Sequence, residues 1–287
     1  MSGHLVLIAS YPRSGNTWLR LLFESLQRKQ QGSINDLESG LYGFARRRVF
    51  DATAPANAAD LLPEEIDTLL PDVIRRFDAA QAQTTLIKVH DCAQRSREGE
   101  WLYPQESVKA VLYLVRHPFD VAVSYAHHLG LPLARAVASM ADDKEIVSLP
   151  GPRLPLPLHQ HMGSWSTNAL SWLEGSPYKT LLIRYEDLLA DPRVLFHKAA
   201  KAAGYNVTAD DVARAVEATR FDRLKGEEQQ RGFRERPPTS DAFFRAGRAG
   251  TWQGKLDDAL REKLLRDHGS VMKKLGYRPD GGADPLP

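Results

Sequence analysis

The sequence predicts an α/β fold built on one mainly parallel central sheet with helices on both faces. Short apolar runs at residues 5–9, 84–89, 109–115 and 180–183 alternate with segments of helical period, the pattern of a parallel sheet with crossover helices. Polar residues follow the strand ends, Arg13, His90, Arg116 and Tyr185, on the side where open α/β sheets bind ligands. The chain has 287 residues, 43% of them hydrophobic, enough for a substantial core in a single domain over residues 1–287. No internal repeat or second domain is indicated.

The first run, 5–9, reads as a buried strand. From Asn16 onward Leu19, Leu22, Phe23 and Leu26 keep helical spacing. Between them Ser10-Tyr11-Pro12-Arg13-Ser14-Gly15 forms a strand-to-helix turn. Such a turn aims backbone N–H groups and the positive end of a helix dipole at one spot, which suits a phosphate-like anion. Arg13, Ser14, Asn16 and Thr17 add a cation and polar side chains, and Gly15 lets the backbone approach closely.

Residues 30–80 are polar and uneven. Gly32 to Asp36 reads as a loop, Arg46-Arg47-Arg48 as a solvated basic face, and Pro63-Glu64-Glu65-Ile66 as a helix start. The second strand ends in Lys88-Val89-His90-Asp91. The third runs into Arg116-His117-Pro118-Phe119-Asp120, where Pro118 opens a helix with Asp120 near its positive end. Arg116 and Ser124, eight residues on, make a second anion site; the plainer alternative is a salt-bridged Arg and a helix-surface Ser. Residues 129–163, rich in Pro, Leu and Gly, read as a long irregular excursion of the kind that forms binding elements or lids. A Trp-bearing helix follows at 164–173. After the fourth strand come Arg184-Tyr185-Glu186-Asp187, helices at 192–203 and 209–218, a charged, loop-like stretch at 223–250, and a last helix at 256–275 closed by Gly276.

Composition narrows the classes. A formal net charge of +2 gives no general nucleic-acid or membrane surface, so anion recognition must come from locally placed arginines. The single cysteine, Cys92, excludes an intramolecular disulfide and a cysteine zinc cluster, and fits a reducing compartment. The N-terminus enters a strand without a basic n-region and cleavage site, and no apolar run reaches spanning length, so a cytoplasmic protein is expected. His127-His128 and His159-Gln160-His161 lack a companion ligand pattern, so no metal is expected.

A nucleotide-hydrolysing P-loop reads G-x-x-x-x-G-K-[ST]. Here Ser10 stands at its first Gly and Asn16 at its Lys, and the cation has moved into the loop as Arg13. In this form the loop resembles the 5′-phosphosulfate loop of sulfotransferases that use 3′-phosphoadenosine 5′-phosphosulfate (PAPS) and release 3′-phosphoadenosine 5′-phosphate (PAP). The string from Leu114 to Tyr125 resembles that family's 3′-phosphate motif. Phe243-Phe244-Arg245-Ala246-Gly247-Arg248-Ala249-Gly250-Thr251-Trp252 is similar to its R-x-G-x-x-G-x-W segment, and Thr219-Arg220-Phe221 to its adenine-contacting T-x-F element. Tyr185 has a counterpart that contacts the adenosine. The five matches keep the family's chain order, and the resemblance implies a P-loop-like sulfotransferase fold of the cytosolic type.

That resemblance implies roles. Arg13, Ser14, Gly15, Asn16, Thr17, Trp18, Arg116, Ser124, Tyr185, Thr219, Phe221, Phe244, Arg245 and Gly247 would bind PAPS, with Trp18 and Phe221 stacking on the base. Lys88-Val89-His90 resembles the family's K-x-H element, in which His90 is the catalytic base. Lys88 and Arg13 would stabilise negative charge, and Ser124 would restrain the loop cation until the acceptor arrives. No metal is required. The chain departs from many relatives in Arg13 for Lys at the loop cation, and in Ala246 and Gln253 where Lys is frequent. Asp91, Glu186 and Asp187 are expected to cap or orient.

The acceptor is expected to be a hydroxylated small molecule or secondary metabolite. Residues 33–80 and 129–165 should line its site, with Tyr42, Phe44, Trp101, Leu131 and Leu133 facing an aromatic or lipid-like compound, or Arg46 to Arg48 an acidic carbohydrate. A homodimer stays open, since the family's short dimerisation motif is not found. Two rival readings carry distinct signs. A P-loop kinase or NTPase would need magnesium, and a PAP-binding module would bind nucleotide with His90 irrelevant.

Overall fold

The computed structural model describes residues 3–28, 33–36, 43–144, 146–147 and 158–285. In chain order the elements are β1 (Leu5–Ser10), α1 (Asn16–Gln27), α2 (Arg47–Asp51), α3 (Pro63–Ala79), β2 (Thr85–Val89), β3 (Val108–Val115), α4 (Pro118–Leu129) and α5 (Leu133–Met140). They continue with β4 (Ile146–Val147), β5 (Gln160–His161), α6 (Trp165–Leu173), β6 (Thr180–Arg184), α7 (Tyr185–Ala190), α8 (Pro192–Ala202), α9 (Ala209–Ala218), α10 (Phe221–Arg231) and α11 (Asp258–Lys274).

The sheet order is β2-β1-β3-β6, with every pairing parallel. All six residues of β1 are buried, because the strand is covered on both faces. Leu5, Leu7 and Ala9 join one core with Trp165, Trp172 and Leu264, whereas Val6 and Ile8 join the other with Leu22, Phe196 and Val212. Strand alternation therefore splits one apolar run between two helical layers. The chain leaves β1 toward β2 on one side and β3 toward β6 on the other, so the switch point lies beside β1 and β3. The crevice beyond their carboxyl ends is where such a sheet binds ligands.

Four stretches differ from the sequence expectation. The excursion at 129–163 contains α5, whose Ala136, Val137 and Met140 are buried, and a small antiparallel pair of β4 with β5. A short amphipathic run was hidden there by the Pro- and Gly-rich flanks. The charged stretch at 223–250 begins inside α10, of which Leu224 and Glu228 are the buried residues. Helical period is weak there; the Glu228 carboxylate holds the helix down by accepting the N–H groups of Phe243 and Phe244 at 2.7 and 2.9 Å. The stretch after the fourth strand folds as α7, and Ile34–Asp36 is a turn of 3₁₀ helix. Tyr42 and residues 148–157 lie outside the described residues. Among the described residues no helix is long and apolar enough to cross a membrane.

Candidate active site

The loop between β1 and α1 is shaped by two left-handed residues. Gly15 sits at φ 103°, and a Cβ there would lie 2.8 Å from Cδ2 of Tyr185, so glycine is required both for φ and for space. Gly15 is also the N-cap of α1, which has no side-chain cap and no acid in its first turn. The helix's first N–H groups are thus left for an external acceptor. Arg13 holds φ 69°, unusual for a side-chain-bearing residue. Its Nε donates to Ser124 Oγ at 3.0 Å and Nη1 to His128 Nδ1 at 3.3 Å, and its guanidinium lies 4.6 Å from the centre of the Phe243 ring.

Asn16 turns its side chain inward. Its Nδ2 donates to Ile8 O at 2.9 Å and Ser10 Oγ at 3.2 Å, and its Oδ1 accepts from Arg20 Nε at 3.1 Å. Fully buried Arg20 in turn makes a two-pronged pair with Glu235 at 2.8 and 2.6 Å, to which Thr17 Oγ1 also donates. Ser14 Oγ is buried without a hydrogen-bond partner among the described residues.

Beyond β2, His90 Nδ1 lies 2.8 Å from Ser10 O. A carbonyl only accepts, so Nδ1 carries the proton and Nε2 keeps its lone pair. Burial, and then the Lys88 ammonium, push the imidazole down to about 3, so it is neutral across the physiological range. Burial likewise lowers Lys88 to about 8, with the Glu235 carboxylate opposing the shift.

Beyond β3, Arg116 stacks on Tyr185 at 4.3 Å and donates through Nη2 to Arg248 O at 3.0 Å. Its buried Nε has no partner among the described residues. Asp120, one helical turn on, pairs with Arg116 at 3.4 Å and accepts from Gly250 N, Thr251 Oγ1 and Trp252 N at 2.8, 2.7 and 3.0 Å. One carboxylate therefore fastens residues 250–252 over Arg116. Replacing it (Asp120→Ala) leaves three donors unpaired and takes the carboxylate from a buried guanidinium, and is expected to cost about 3–5 kcal/mol in urea unfolding. A loss below about 1 kcal/mol would show that the segment is held otherwise.

These groups line one cavity of about 530 Å³. Arg13, Gly15, Asn16, Thr17, Trp18, Lys88, His90, Arg116, Ser124, Tyr185, Thr219, Phe221, Phe244, Arg245 and Gly247 all face it. A family model described as a sulfotransferase domain matches residues 4–276. The chain belongs to the sulfotransferase family.

Among curated proteins, this sulfotransferase is 25% identical to Sulfotransferase 1A1 of Canis lupus familiaris, over 94% of this chain and 84% of that protein. It is 27% identical to Cytosolic sulfotransferase 17 of Arabidopsis thaliana, over 93% and 76%. In fold it is similar to retinol dehydratase in a complex with retinol and PAP (TM-score 0.59, 20% identity, 97% of this chain and 84% of that one). It is likewise similar to mouse sulfotransferase SULT7A1 complexed with PAP (TM-score 0.57, 19% identity, 95% and 84%). The sulfotransferase is thus an enzyme of sulfuryl transfer.

Of the residues expected to bind PAPS or to act in catalysis, Ser14 is the one that the cavity wall omits, and Asn16 reaches the wall with its amide already spent. Trp18 meets Tyr185 edge-on at 6.1 Å, and Phe221 packs under Gly247, where a Cβ would lie 2.2 Å from its ring. Thr219 Oγ1 donates to Ala215 O at 2.9 Å, keeping its lone pairs. Asp91 accepts from Gln160 Nε2 and His161 N, Glu186 from His117 N and Tyr277 Oη, and Asp187 pairs with Arg184.

The aromatic and leucine side chains expected to face an acceptor lie elsewhere. Phe44 is buried against Phe77, Trp101 packs on Tyr178, and neither they nor Leu131 and Leu133 line the cavity. From the two expected intervals Ala45, Arg46 and Gln160 do line it, joined by His127, His128 and Phe243. Sequence reasoning missed Arg20, Glu235 and the anchoring part of Asp120. The one available signal was Arg20, a charged residue between Leu19 and Leu21 on a helix buried by the sheet. Among the described residues no group of three or more His, Cys, Asp and Glu could hold a metal ion.

Proposed function

We propose that this sulfotransferase moves the sulfuryl group of PAPS to the hydroxyl of a small-molecule acceptor, with His90 as general base. The observation that carries the reading is the buried Nε of Arg116, unpartnered among the described residues, in the same cavity as the uncapped start of α1. A nucleotide with phosphates at both its 3′ and 5′ positions satisfies both, and Trp18 and Phe221 supply aromatic faces for its base. The reading also explains why the loop cannot serve a kinase: Asn16, at the position of the P-loop lysine, is held by Ile8 O and Arg20. The chain's net charge of +2 favours a small acceptor over a nucleic acid, and the lone cysteine suits the cytoplasm.

In this mechanism the acceptor oxygen attacks sulfur in line, and His90 Nε2 takes its proton. Arg13 and Lys88 neutralise the charge that develops on the departing oxygen. A base near 3 is too weak for the task on its own. Negative charge placed beside it favours the imidazolium and opposes Lys88, so His90 gains basicity once the anionic donor is bound.

Calorimetric titration with PAP, and separately with ATP and magnesium, tests the reading. Tight binding of PAP and weak binding of ATP is expected; the reverse overturns it. A pH profile follows from Lys88. It holds its proton below about 8 and loses it above, so kcat/KM for the donor should fall about tenfold per pH unit on the alkaline side. Lys88→Arg, with a fixed charge, should erase that limb. A limb that persists in the variant would assign it to another group.

A further inference from the structure

We propose that His128 is a positioning residue for sulfuryl transfer, acting with Ser124 to park the Arg13 guanidinium until an acceptor is present. The inference rests on the PAPS reading above. Its basis is the two-point hold on Arg13. Nε is taken by Ser124 at 3.0 Å and Nη1 by His128 at 3.3 Å, while Phe243 lies against the face of the guanidinium. Ser124 and His128 are four residues apart, on one face of α4, so a planar fork reaches both at once. A lysine ammonium is a point charge on a flexible stem and has no such paired geometry.

His128 is suited to accept. Its Nδ1 offers a lone pair only in the neutral ring, and burial, then the charges of Arg13 and Lys88, keep it neutral by lowering it to about 3. The ring packs edge-on to Phe243 at 6.3 Å, and Thr239 Oγ1 donates to its backbone carbonyl at 2.9 Å. Phe243 therefore packs against the imidazole while Thr239 holds the backbone that carries it, and Nε2, which makes no hydrogen bond among the described residues, carries the proton.

The consequence concerns water. If Arg13 is free to neutralise the departing oxygen before an acceptor arrives, water attacks instead. Its oxygen bonds to sulfur, the bridging S–O bond breaks, and PAP leaves with the electron pair. Inorganic sulfate forms, and water's proton passes through His90 to solvent. Parking Arg13 suppresses this loss.

Release of inorganic sulfate from labelled PAPS, with no acceptor added, measures the effect. His128→Phe keeps a ring against Phe243 but has no acceptor; it should raise sulfate release about tenfold, with PAP affinity within twofold of the parent. His128→Leu should do the same, which guards against one variant failing to fold. His128→Asn, whose Oδ1 can replace Nδ1, should return release toward the parent value. In an Arg13→Lys background, His128→Phe should change nothing further. Unchanged release in a His128→Phe protein that binds PAP overturns the proposal, as does an equal rise in the Arg13→Lys background. Failure of the parent protein to bind PAP would instead overturn the donor reading.

Discussion

His90→Ala is expected to lower kcat by about 10²–10⁴-fold while leaving PAP affinity within a few-fold. The ring's Nδ1–H is committed to Ser10 O at 2.8 Å, so the side chain presents Nε2 alone to the cavity and offers a neutral acceptor of one proton. Alanine removes that acceptor and leaves in place Gly15 and Arg13, at whose positive φ the loop turns. Asn168 Nδ2 holds the His90 carbonyl at 3.0 Å in either case. Single-turnover sulfation beside a PAP titration separates the two effects. Equal losses in both would mean that His90 shapes the nucleotide site; retained turnover would remove it as the base.

Arg116→Ala should weaken PAP about 10–150-fold, the worth of a charged hydrogen bond, and adenosine 5′-phosphosulfate far less. The reason lies in what Arg116 already does. Nη2 holds Arg248 O and pairs with Asp120, and the plane of the guanidinium rests on Tyr185, so the group is aimed before any ligand arrives, with Nε unpaired among the described residues. Prior ordering of this kind means that little entropy is lost when a phosphate binds. The variant also loosens the Asp120 contacts, and comparing two nucleotides cancels that shared loss. Equal weakening of both nucleotides would place the 3′-phosphate elsewhere.

The elements that sequence reasoning located well are those with a local cause. The run at 5–9 is apolar on both faces and became the buried centre of the sheet; Ser10 to Gly15 is turn chemistry followed at once by a helical stripe. The 84–89, 109–115 and 180–183 runs likewise became β2, β3 and β6. Helix α10 escaped because its stability is not in its own sequence: Glu228 sits under Phe243 and Phe244 and accepts their N–H groups. Two aromatics expected to face an acceptor were misplaced for a related reason. Phe44 and Trp101 look like ligand-facing aromatics in one dimension, yet each finds an aromatic neighbour inside the protein, Phe77 and Tyr178.

The sequence by itself therefore determined the sheet, the phosphate loop with its displaced cation, the Lys88–His90 spacing at one strand end and Arg116 at the next. Each of these follows from period, turn residues and neighbours a few positions apart. Tertiary structure alone decided that Glu235 meets Arg20 across 215 residues, that Asp120 fastens residues 250–252 over Arg116, and that Arg13, expected beside Ser124, also meets His128. A buried charge must find a partner or remain costly, but the partner is chosen by which segments the folded chain brings within about 3 Å, and no local pattern carries that distance.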